Sequence, residues 1–411
     1  MNPLENRLIA PAVAAVLILL SSSLHSRTWT SADGVKTFEG ELQSYDAASG
    51  KVSVILPNHK RITFKQEKLS ADDIAWLEKN GNRPAGKATE VKELPDELPD
   101  PDGKEADMSK PVQVYILLGQ SNMLGAGKPS KLQGVAAEKY PYLVDDADEW
   151  TVRRDVRNVF VMCSGNSPAK DHKNEWMTIS GNIGPEIGIG HHVGHVTDAP
   201  VLILKSCIGN RSLGWDLLPP GSKPYEHGGK TQPGYRGTPD EPDGDTGGDM
   251  SKGWYAGCQY DGDVAAAKKA LENLDDYYPG AKDYEVAGFF WWQGDKDMRN
   301  AAHFEKYEEN LIQLIKSLRK DFDAPGARFV TASLGQTQKG SQGGDGKILD
   351  AMEAVAKSDD PELEDKVAFV YTHPLSKGGS SSGHYGGNPE TYMNVGEAMG
   401  KAMVELLQQD R

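Results

Sequence analysis

The sequence predicts an α/β fold in which a parallel β-sheet carries helices on both faces, preceded by a small all-β domain. Two observations predict this arrangement. Between residues 111 and 411, short apolar runs without polar alternation are separated by stretches of helical periodicity, which is typical of buried strands joined by crossover helices. Between residues 27 and 80, short segments alternate polar with apolar residues between turns, which is typical of half-buried antiparallel strands.

The length and the charge of the chain limit the number of domains and the kinds of partner. The chain has 411 residues, enough for two or three domains, because one hydrophobic core rarely serves more than about 250–300 residues. Hydrophobic residues make up 38% and charged residues 26% of the chain, as in a soluble globular protein. The formal net charge of −15 argues against nucleic acid or an anionic membrane surface as a partner, since both require clustered lysine and arginine.

The first 26 residues have the order of a secretory signal. Arg7 precedes an apolar run over residues 8–20, and the small-residue stretch SSSLHS follows at 21–26. The run is too short to cross a bilayer comfortably. We therefore expect an exported protein, periplasmic or extracellular, whose mature chain has no transmembrane helix. An uncleaved anchor is the alternative, because the stretch after the run lacks a clear small-x-small cleavage site.

The three cysteines do not form a metal-binding pattern. Cys163, Cys207 and Cys258 are far apart in the sequence, and none belongs to a C-x-x-C motif. Buried thiols are therefore favoured over a zinc site, and one disulfide stays open as an alternative.

Residues 27–80 predict a compact domain of short strands. Strands are expected at 37–44, 51–56 and 61–65, with a short helix after residue 69 that ends near residue 77. This pattern predicts a small SH3-like barrel. The segments EGELQSYD, KVSVILPNHKRITFKQEKL and LSADDIAWL resemble the SLA homology domain, an SH3-like module often found near the N-terminus of exported bacterial proteins. The binding partner of such a domain does not follow from the resemblance.

Residues 81–110 predict a disordered linker. This stretch is rich in Pro, Glu, Asp and Lys and has almost no large apolar residue, so it is not expected to bury enough surface to fold. Its proline spacing predicts a semi-stiff spacer.

Six apolar runs are predicted to form the parallel sheet: 112–118, 159–162, 200–205, 285–292, 328–334 and 367–371. Helical periodicity is clearest at 263–274, 301–322 and 390–409. Functional sites in such sheets lie outside the carboxyl ends of the strands. The motif GQSNM, residues 119–123, lies at one of these ends.

The residues that follow three strands are suited to acyl transfer. A serine hydroxyl needs a base to take its proton, and the oxyanion that it creates needs hydrogen-bond donors. Ser121 lies in GQSNM, SCIGN follows another strand at 206–210, and QGDKD follows a third at 293–297. His384 precedes the last predicted helix. Together they predict a serine-dependent site.

The motifs of this domain form a recognisable set: YILLGQSNMLG (115–125), GPEIGIG (184–190), WWQGDKD (291–297) and GHYGGNPETYMNVGEAMGKAM (383–403). They resemble the blocks of the SGNH (GDSL-like) hydrolases, of the sialate O-acetylesterase type related to carbohydrate esterase family six. The resemblance implies a three-layer α/β/α sandwich. It also implies an exported serine esterase that removes O-acetyl groups from carbohydrate through an acyl-serine intermediate, with no cofactor and no metal.

The resemblance implies a role for each matching residue. Ser121 corresponds to the nucleophile, and its own N–H to one oxyanion donor. Gln293 corresponds to the side-chain oxyanion donor, and His384 to the general base. A glycine of the second block supplies another N–H donor, for which Gly209 is the expected residue and Gly184 the competitor.

One residue departs from the pattern of the family. The acidic residue usually found three positions before the histidine is replaced here by Ser381. We assign to Asp295 the role of orienting His384, because a carboxylate at the same place would select the same imidazole tautomer. Asp297 is the reserve for this role, and His373 is the rival base.

Two further features have both a structural and a functional interpretation. His191 and His195 have the i, i+4 spacing of zinc ligands, but without a neighbouring Glu or a third ligand they are expected, with His192, to be solvated helix residues. The Gly-, Pro- and Asp-rich loop at 216–257 is expected to cover the serine and shape the acyl or sugar pocket. Its acidic cluster at 240–249 does not match a calcium loop and is expected to be solvated charge.

Two other functions are compatible with the sequence. The missing acidic residue is compatible with a non-catalytic carbohydrate-binding or scaffolding protein on the same fold. An esterase for acyl esters other than those of sugars is the second, although the polar 216–257 loop argues against a long-chain acyl pocket.

Overall fold

The computed structural model describes residues 27–47, 49–56, 61–80, 91–239 and 253–409. The predicted signal at 1–26, the start of the predicted linker at 81–90, and the acidic cluster at 240–249 lie outside the described residues. The chain divides into two compact units, Met1–Ala88 and Thr89–Arg411. No helix in the described ranges is both long enough and apolar enough to cross a membrane.

The first unit contains a four-stranded antiparallel sheet and a helix. Its strands follow one another in the sheet as β1 (Arg27–Thr30), β2 (Thr37–Asp46), β3 (Lys51–Ile55) and β4 (Arg61–Lys65), and the helix is α1 (Ala71–Asn80). The Ser70 hydroxyl accepts a hydrogen bond from the Asp73 N–H at 3.2 Å and thereby starts the helix. The predicted strands and helix are confirmed, whereas the SH3-like barrel stays a prediction.

The second unit is built on a seven-stranded sheet in the order β13-β12-β11-β5-β8-β6-β7. Its strands are β5 (Val112–Gly119), β6 (Arg153–Met162), β7 (Lys170–Met177), β8 (Val201–Ser206), β11 (Tyr284–Trp292), β12 (Arg328–Ala332) and β13 (Val367–Val370), while β9 (Tyr225–His227) and β10 (Lys230–Gln232) form a separate hairpin. Neighbouring strands of the sheet are parallel except β6 and β7. The six predicted strands are confirmed, and β7 is an edge strand that the sequence did not predict.

The helices of the second unit are α2 (Ser121–Leu124), α3 (Pro129–Lys139), α4 (Glu186–His195), α5 (Cys258–Glu272), α6 (Leu274–Tyr277), α7 (Ala301–Phe304), α8 (Tyr307–Asp321), α9 (Gly344–Ala356) and α10 (Pro389–Gln408). The helix predicted at 301–322 is divided into α7 and α8. Cys163, Cys207 and Cys258 are buried and free, which confirms the prediction of buried thiols.

Two hydrophobic cores lie on opposite faces of the sheet. Val114 and Ile116 of β5 belong to a cluster that includes side chains of α5, α8 and α9. Tyr115 and Leu117 belong to a second cluster that includes side chains of α3, α4 and α10. Because alternate residues of a strand point to opposite faces, helices cover both faces, as the sequence predicted.

Strand β5 lies at the centre of the sheet, between β8 and β11. After β5, the chain first forms β6, β7 and β8 on one side of this strand and then β11, β12 and β13 on the other side. The carboxyl ends of β5, β8 and β11 therefore meet at a topological switch point, where ligands bind in sheets of this kind.

Residues 91–110 are ordered and pack against the rest of the second unit, so the predicted disordered linker is wrong over this range. The Lys92 N–H donates to the Val196 carbonyl at 2.7 Å, and the Asp107 N–H donates to the Asp198 carbonyl at 2.7 Å. Three partly buried side chains of the segment pack against the second core: Val91, Leu94 and Leu98.

Lys104 is the main polar anchor of this segment. Its ammonium donates to the Gly194 carbonyl at 2.5 Å and to the Thr197 carbonyl at 2.8 Å, at the C-terminal end of α4. It also pairs with the buried Asp155 at 3.1 Å. The composition of residues 81–110 did not predict these contacts. A few well-placed hydrogen bonds and an ion pair are enough to order a segment that has few apolar residues.

The prediction of solvated histidines on α4 is wrong for His191 and His192, whose exposed fractions are only 1% and 2%. Burial lowers the pKa of His191 well below its usual value, and that of His192 to about 4. His192 is buried by the close approach of α10, where a Cβ at Gly400 would lie 2.8 Å from the His192 Cβ, and the His191 ring packs against Tyr142 with centroids 4.7 Å apart. His195 is half-buried. Over the described part of the chain, no group of three or more His, Cys, Asp or Glu side chains could hold a metal ion.

Candidate active site

Strand β5 leads directly to the predicted nucleophile. Gly119 has a φ of +145°, and a Cβ at this position would lie 2.5 Å from the Trp292 carbonyl oxygen at the end of β11. Only glycine allows the two strand ends to approach so closely. Gln120 is still extended, and Ser121 is the first residue of α2. Ser121 therefore lies at the switch point of the sheet.

The Ser121 side chain is half-buried, and its hydroxyl makes no hydrogen bond to any other described residue. A Cβ at Gly209 would lie 3.4 Å from the Ser121 Cβ, so the backbone of the loop after β8 faces the serine. In the described ranges, the N–H groups of Ser121 and Gly209 have no acceptor. A Cβ at Gly184 would instead lie 3.0 Å from the Leu124 carbonyl, at the other end of α2. Of the two candidate glycines, Gly209 is the one beside the serine.

Gln293 is fully buried, and its amide is engaged on both sides. Its Nε2 donates to the Arg211 carbonyl at 2.8 Å and to the carboxylate of Asp297. Its Oε1 accepts from the Tyr307 hydroxyl at 2.8 Å. Gln293 thus ties the end of β11 to the loop that carries Gly209. To donate to an oxyanion, it would have to release one of these acceptors.

Asp297 lies beneath this loop and is also fully buried. Its carboxylate accepts the N–H groups of Leu213 at 2.9 Å and Gly214 at 2.8 Å in addition to the Gln293 amide. Burial raises the pKa of Asp297 above its usual value. Because loop amides and Gln293 occupy its oxygens, Asp297 does not orient His384 in this structure.

His384 lies in the segment Ser381–Gly387, which approaches α2 and whose 3₁₀ conformation is interrupted at His384. Its Gly387 carbonyl accepts a hydrogen bond of 3.1 Å from the N–H of Lys128, the residue before α3. His384 and Tyr385 have φ values of 49° and 51°. Left-handed conformations of such residues cost free energy, and residues of this kind cluster at functional sites. In the described residues, no hydrogen bond joins the His384 ring to Ser121.

Surrounding contacts hold this strained segment in place. The Tyr385 ring stacks on Trp292 with centroids 5.8 Å apart, and the Tyr385 hydroxyl accepts from the Gly335 N–H at 3.0 Å. The Tyr392 hydroxyl donates to the His384 carbonyl at 3.3 Å. Trp292 is therefore part of the support of the predicted base, and both Trp291 and Trp292 are fully buried.

The predicted contact between Asp295 and His384 is absent. The Asp295 carboxylate accepts from the Ser381 hydroxyl at 2.5 Å and pairs with the Arg299 guanidinium at 2.7 Å. No ion pair or hydrogen bond to His384 occurs in the described ranges. Both oxygens are already engaged, which explains the difference from the prediction. The carboxylate nevertheless contacts the side chain of Ser381, three positions before His384.

His373, the rival base, follows the edge strand β13. Its Nδ1 lies 2.9 Å from the Gly335 carbonyl, and its ring stacks on Tyr371. Strands β12 and β11 separate β13 from β5, which at about 4.8 Å per strand amounts to roughly 14 Å. The topology therefore favours His384 over His373 as the partner of Ser121.

The described ends of the 216–257 loop form a small apolar cluster of their own around Trp215, Leu218 and Trp254. The Arg211 guanidinium lies 4.8 Å above the Trp254 ring. Because residues 240–252 lie outside the described residues, the expectation that this loop covers the serine stays a prediction.

Sequence reasoning missed two residues of the site. Ser381 was noted only as the replacement of an acid, although its hydroxyl is the group that meets Asp295. Lys205 was included in an apolar strand, although its side chain is buried and reaches the Leu124 carbonyl at 2.9 Å. A lysine at the end of an otherwise apolar buried strand was the available signal.

The fold and the site define an α/β protein with an accessible serine at the switch point of a mostly parallel sheet. Residues 244–405 match the model of a family described as carbohydrate esterase, sialic acid-specific acetylesterase. The matched range is less than half of the chain, and it includes Gln293, Asp295 and His384 but not Ser121. The match supports a carbohydrate acetylesterase.

Solved structures with similarity to the chain include three at low identity. A protein from Arabidopsis thaliana is 16% identical with a TM-score of 0.41, covering 72% of this chain and 98% of its own. A carbohydrate acetylesterase from Xanthomonas citri is 16% identical with a TM-score of 0.41, covering 71% of this chain and 55% of its own. The protein NanS is 14% identical with a TM-score of 0.34, covering 64% of this chain and 78% of its own. No curated protein matches the chain.

Proposed function

We propose that the protein is an exported serine esterase that removes O-acetyl groups from carbohydrate through an acyl-serine intermediate. The observation that carries the proposal is the half-buried Ser121 at the end of the central strand, beside the backbone of Gly209. Within the described part of the chain, its hydroxyl and the N–H groups of both residues have no hydrogen-bond partner. The family match over residues 244–405 supports an acetylated carbohydrate as the substrate. The basic, apolar and small-residue order of residues 1–26 supports export.

The proposed reaction has two steps. The Ser121 Oγ attacks the acetyl carbonyl carbon while His384 takes its proton, and the N–H groups of Ser121 and Gly209 stabilise the oxyanion. The intermediate collapses, the sugar oxygen leaves with the proton from His384, and an acetyl-serine remains. Water, deprotonated by His384, then attacks this ester, His384 returns the proton to the leaving Ser121 Oγ, and acetic acid is released, which ionises to acetate. The sequence of steps needs no cofactor.

His384 must approach Ser121 for this reaction, and two features support such an approach. The His384 segment lies against the flank of α2, and catalytic hydrogen bonds are often long in unliganded sites and tighten when substrate binds. Asp295 serves as a positioning residue, which holds the His384 segment through Ser381. The chemistry then depends on a serine–histidine pair.

Two observations bear on other roles. Among the described residues no carboxylate contacts the His384 ring, which favours the non-catalytic carbohydrate-binding protein as a second candidate. Gln293 is a candidate third oxyanion donor, provided that it releases one of its present acceptors. The partner of the first unit stays open.

The test combines turnover with labelling of the serine. The full-length protein is assayed with an aryl acetate, with acetylated sugars and with a long-chain aryl ester, and it is treated with a fluorophosphonate followed by peptide mass spectrometry. We expect hydrolysis of the acetyl esters, a label on Ser121, and no activity in a folded Ser121→Ala variant. An active Ser121→Ala variant contradicts the mechanism. Sugar binding without turnover supports the second candidate, and preference for the long-chain ester contradicts the carbohydrate substrate.

A further inference from the structure

A buried ion pair lies behind the turn that carries Ser121. The Lys205 Nζ lies 2.6 Å from Glu186 Oε2, and the two side chains are only 3% and 2% exposed. The same ammonium donates to the Leu124 carbonyl at 2.9 Å and lies 5.5 Å from the centre of the Phe160 ring. Lys205 is thus engaged on several sides and excluded from water.

The pair connects the two elements that carry the proposed oxyanion donors. Leu124 is the last residue of α2, the turn that begins at Ser121. Lys205 lies on β8, four residues before Gly209 in the chain. The bond from Lys205 to Leu124 therefore fixes the Ser121 turn against the strand from which the Gly209 loop emerges. Glu186, the first residue of α4, holds the ammonium at this point.

The surrounding backbone leaves room for this arrangement only because glycine occupies position 184. A Cβ at Gly184 would lie 2.2 Å from Glu186 Oε2, 3.0 Å from Lys205 Nζ and 3.0 Å from the Leu124 carbonyl oxygen. The motif GPEIGIG thus supplies both the space and the carboxylate. This assigns a structural purpose to a motif that the reaction itself does not use.

We propose that Lys205 is a positioning residue, which sets the distance between the Ser121 and Gly209 N–H groups. The proposal rests on the proposed function. A buried ion pair is often replaceable by apolar side chains of similar volume without loss of stability, because desolvation offsets much of the attraction. Its contribution here is the fixed geometry of the two amide donors, on which stabilisation of the oxyanion depends.

The test removes both charges together. The double variant Lys205→Met with Glu186→Leu leaves no buried charge unpaired, but it frees the Leu124 carbonyl. We expect a folded protein whose kcat falls roughly 10–100-fold, as small displacements of reacting groups produce, with KM changed less than about twofold. The matched control is Lys316→Met, which removes the ion pairs of a half-buried lysine with Asp360 and Glu362 and should retain the kcat of the parent protein.

Each outcome decides the proposal. An unchanged kcat in the double variant overturns it, and so does a rise in KM at constant kcat. If the double variant does not fold, Glu186→Gln is used, since it keeps the volume but removes the counter-charge. A kcat loss of roughly 3–10-fold then supports the proposal, and parental kcat overturns it. Parental activity in Ser121→Ala would defeat the proposed function itself, whereas an inactive Ser121→Ala with a normal pair variant defeats only this inference.

Discussion

The hydrogen bond from Ser381 to Asp295 gives a quantitative test of how the predicted base is held. It joins two nearly fully buried groups at 2.5 Å. A hydrogen bond to a charged group contributes about 1.5–3 kcal/mol. If that free energy holds the His384 segment in the reactive arrangement, Ser381→Ala lowers kcat by roughly 10–150-fold, since about 1.4 kcal/mol corresponds to a factor of ten.

Asp295→Asn is the companion variant. Asp295 contacts Ser381 and Arg299 but not His384, so we expect its loss of kcat to resemble that of Ser381→Ala. A carboxylate that acts on the imidazole directly would instead be worth about 10⁴-fold, because an amide favours the wrong tautomer.

The assay measures kcat and KM on an aryl acetate, together with thermal unfolding, for both variants. Ser382→Ala is the control, because this exposed serine lies in the same segment and should behave like the parent protein. A loss in Asp295→Asn that exceeds the loss in Ser381→Ala by about 100-fold or more would refute the positioning role. A fully active Ser381→Ala would show that the hydrogen bond does not hold the base.

The remaining predictions concern Gln293 and the segment at 91–110. Gln293→Ala should lower kcat by roughly 100–1000-fold if its amide becomes an oxyanion donor, and a loss under about tenfold in a folded variant assigns that role elsewhere. Lys104→Met should lower the free energy of unfolding by about 1–3 kcal/mol, because it unpairs two carbonyls, while the buried Asp155 keeps its ion pair with Arg153. Lys92→Met removes an exposed ion pair with Asp198 and should lower the free energy of unfolding by under about 0.5 kcal/mol. Equal losses for Lys104→Met and Lys92→Met in denaturant titrations would contradict the role of Lys104 as an anchor. The fragment Thr89–Arg411 should fold and turn over a small ester, whereas a fragment of residues 111–411 should be less stable. Equal melting temperatures of the two fragments would show that residues 89–110 contribute nothing to stability.

The strands of the sheet were predictable because of where they lie. A parallel strand buried on both faces needs a continuous apolar run, and β5, β8 and β11 each have one. Strand β7 (KDHKNEWM) was not predictable on this basis, because it is an edge strand whose side chains are mostly exposed or half-buried. The hydrophobic pattern of a strand reflects its own burial, and β7 is much less buried than β13, the strand at the other edge of the sheet.

Contacts between distant segments were beyond the reach of sequence reasoning. The bond between Ser381 and Asp295 joins residues 86 positions apart, and no local pattern encodes such a separation. The burial of His192 depends in the same way on its contact with Gly400 in α10. Ser121 and Gly209 could be proposed from sequence because parallel strand ends share one edge of the sheet, but the side chains that support them could not.

The alternation of β5 between two clusters has a consequence for protein engineering. Val114 and Ile116 pack on one side of the sheet, and Tyr115 and Leu117 on the other, so the central strand belongs to two cores that share no side chain. Substitutions on opposite sides should change stability additively, while neighbours on the same side should be energetically coupled. One core can therefore be redesigned for thermal tolerance while the other, in which Trp292 stacks on Tyr385 of the His384 segment, is left untouched.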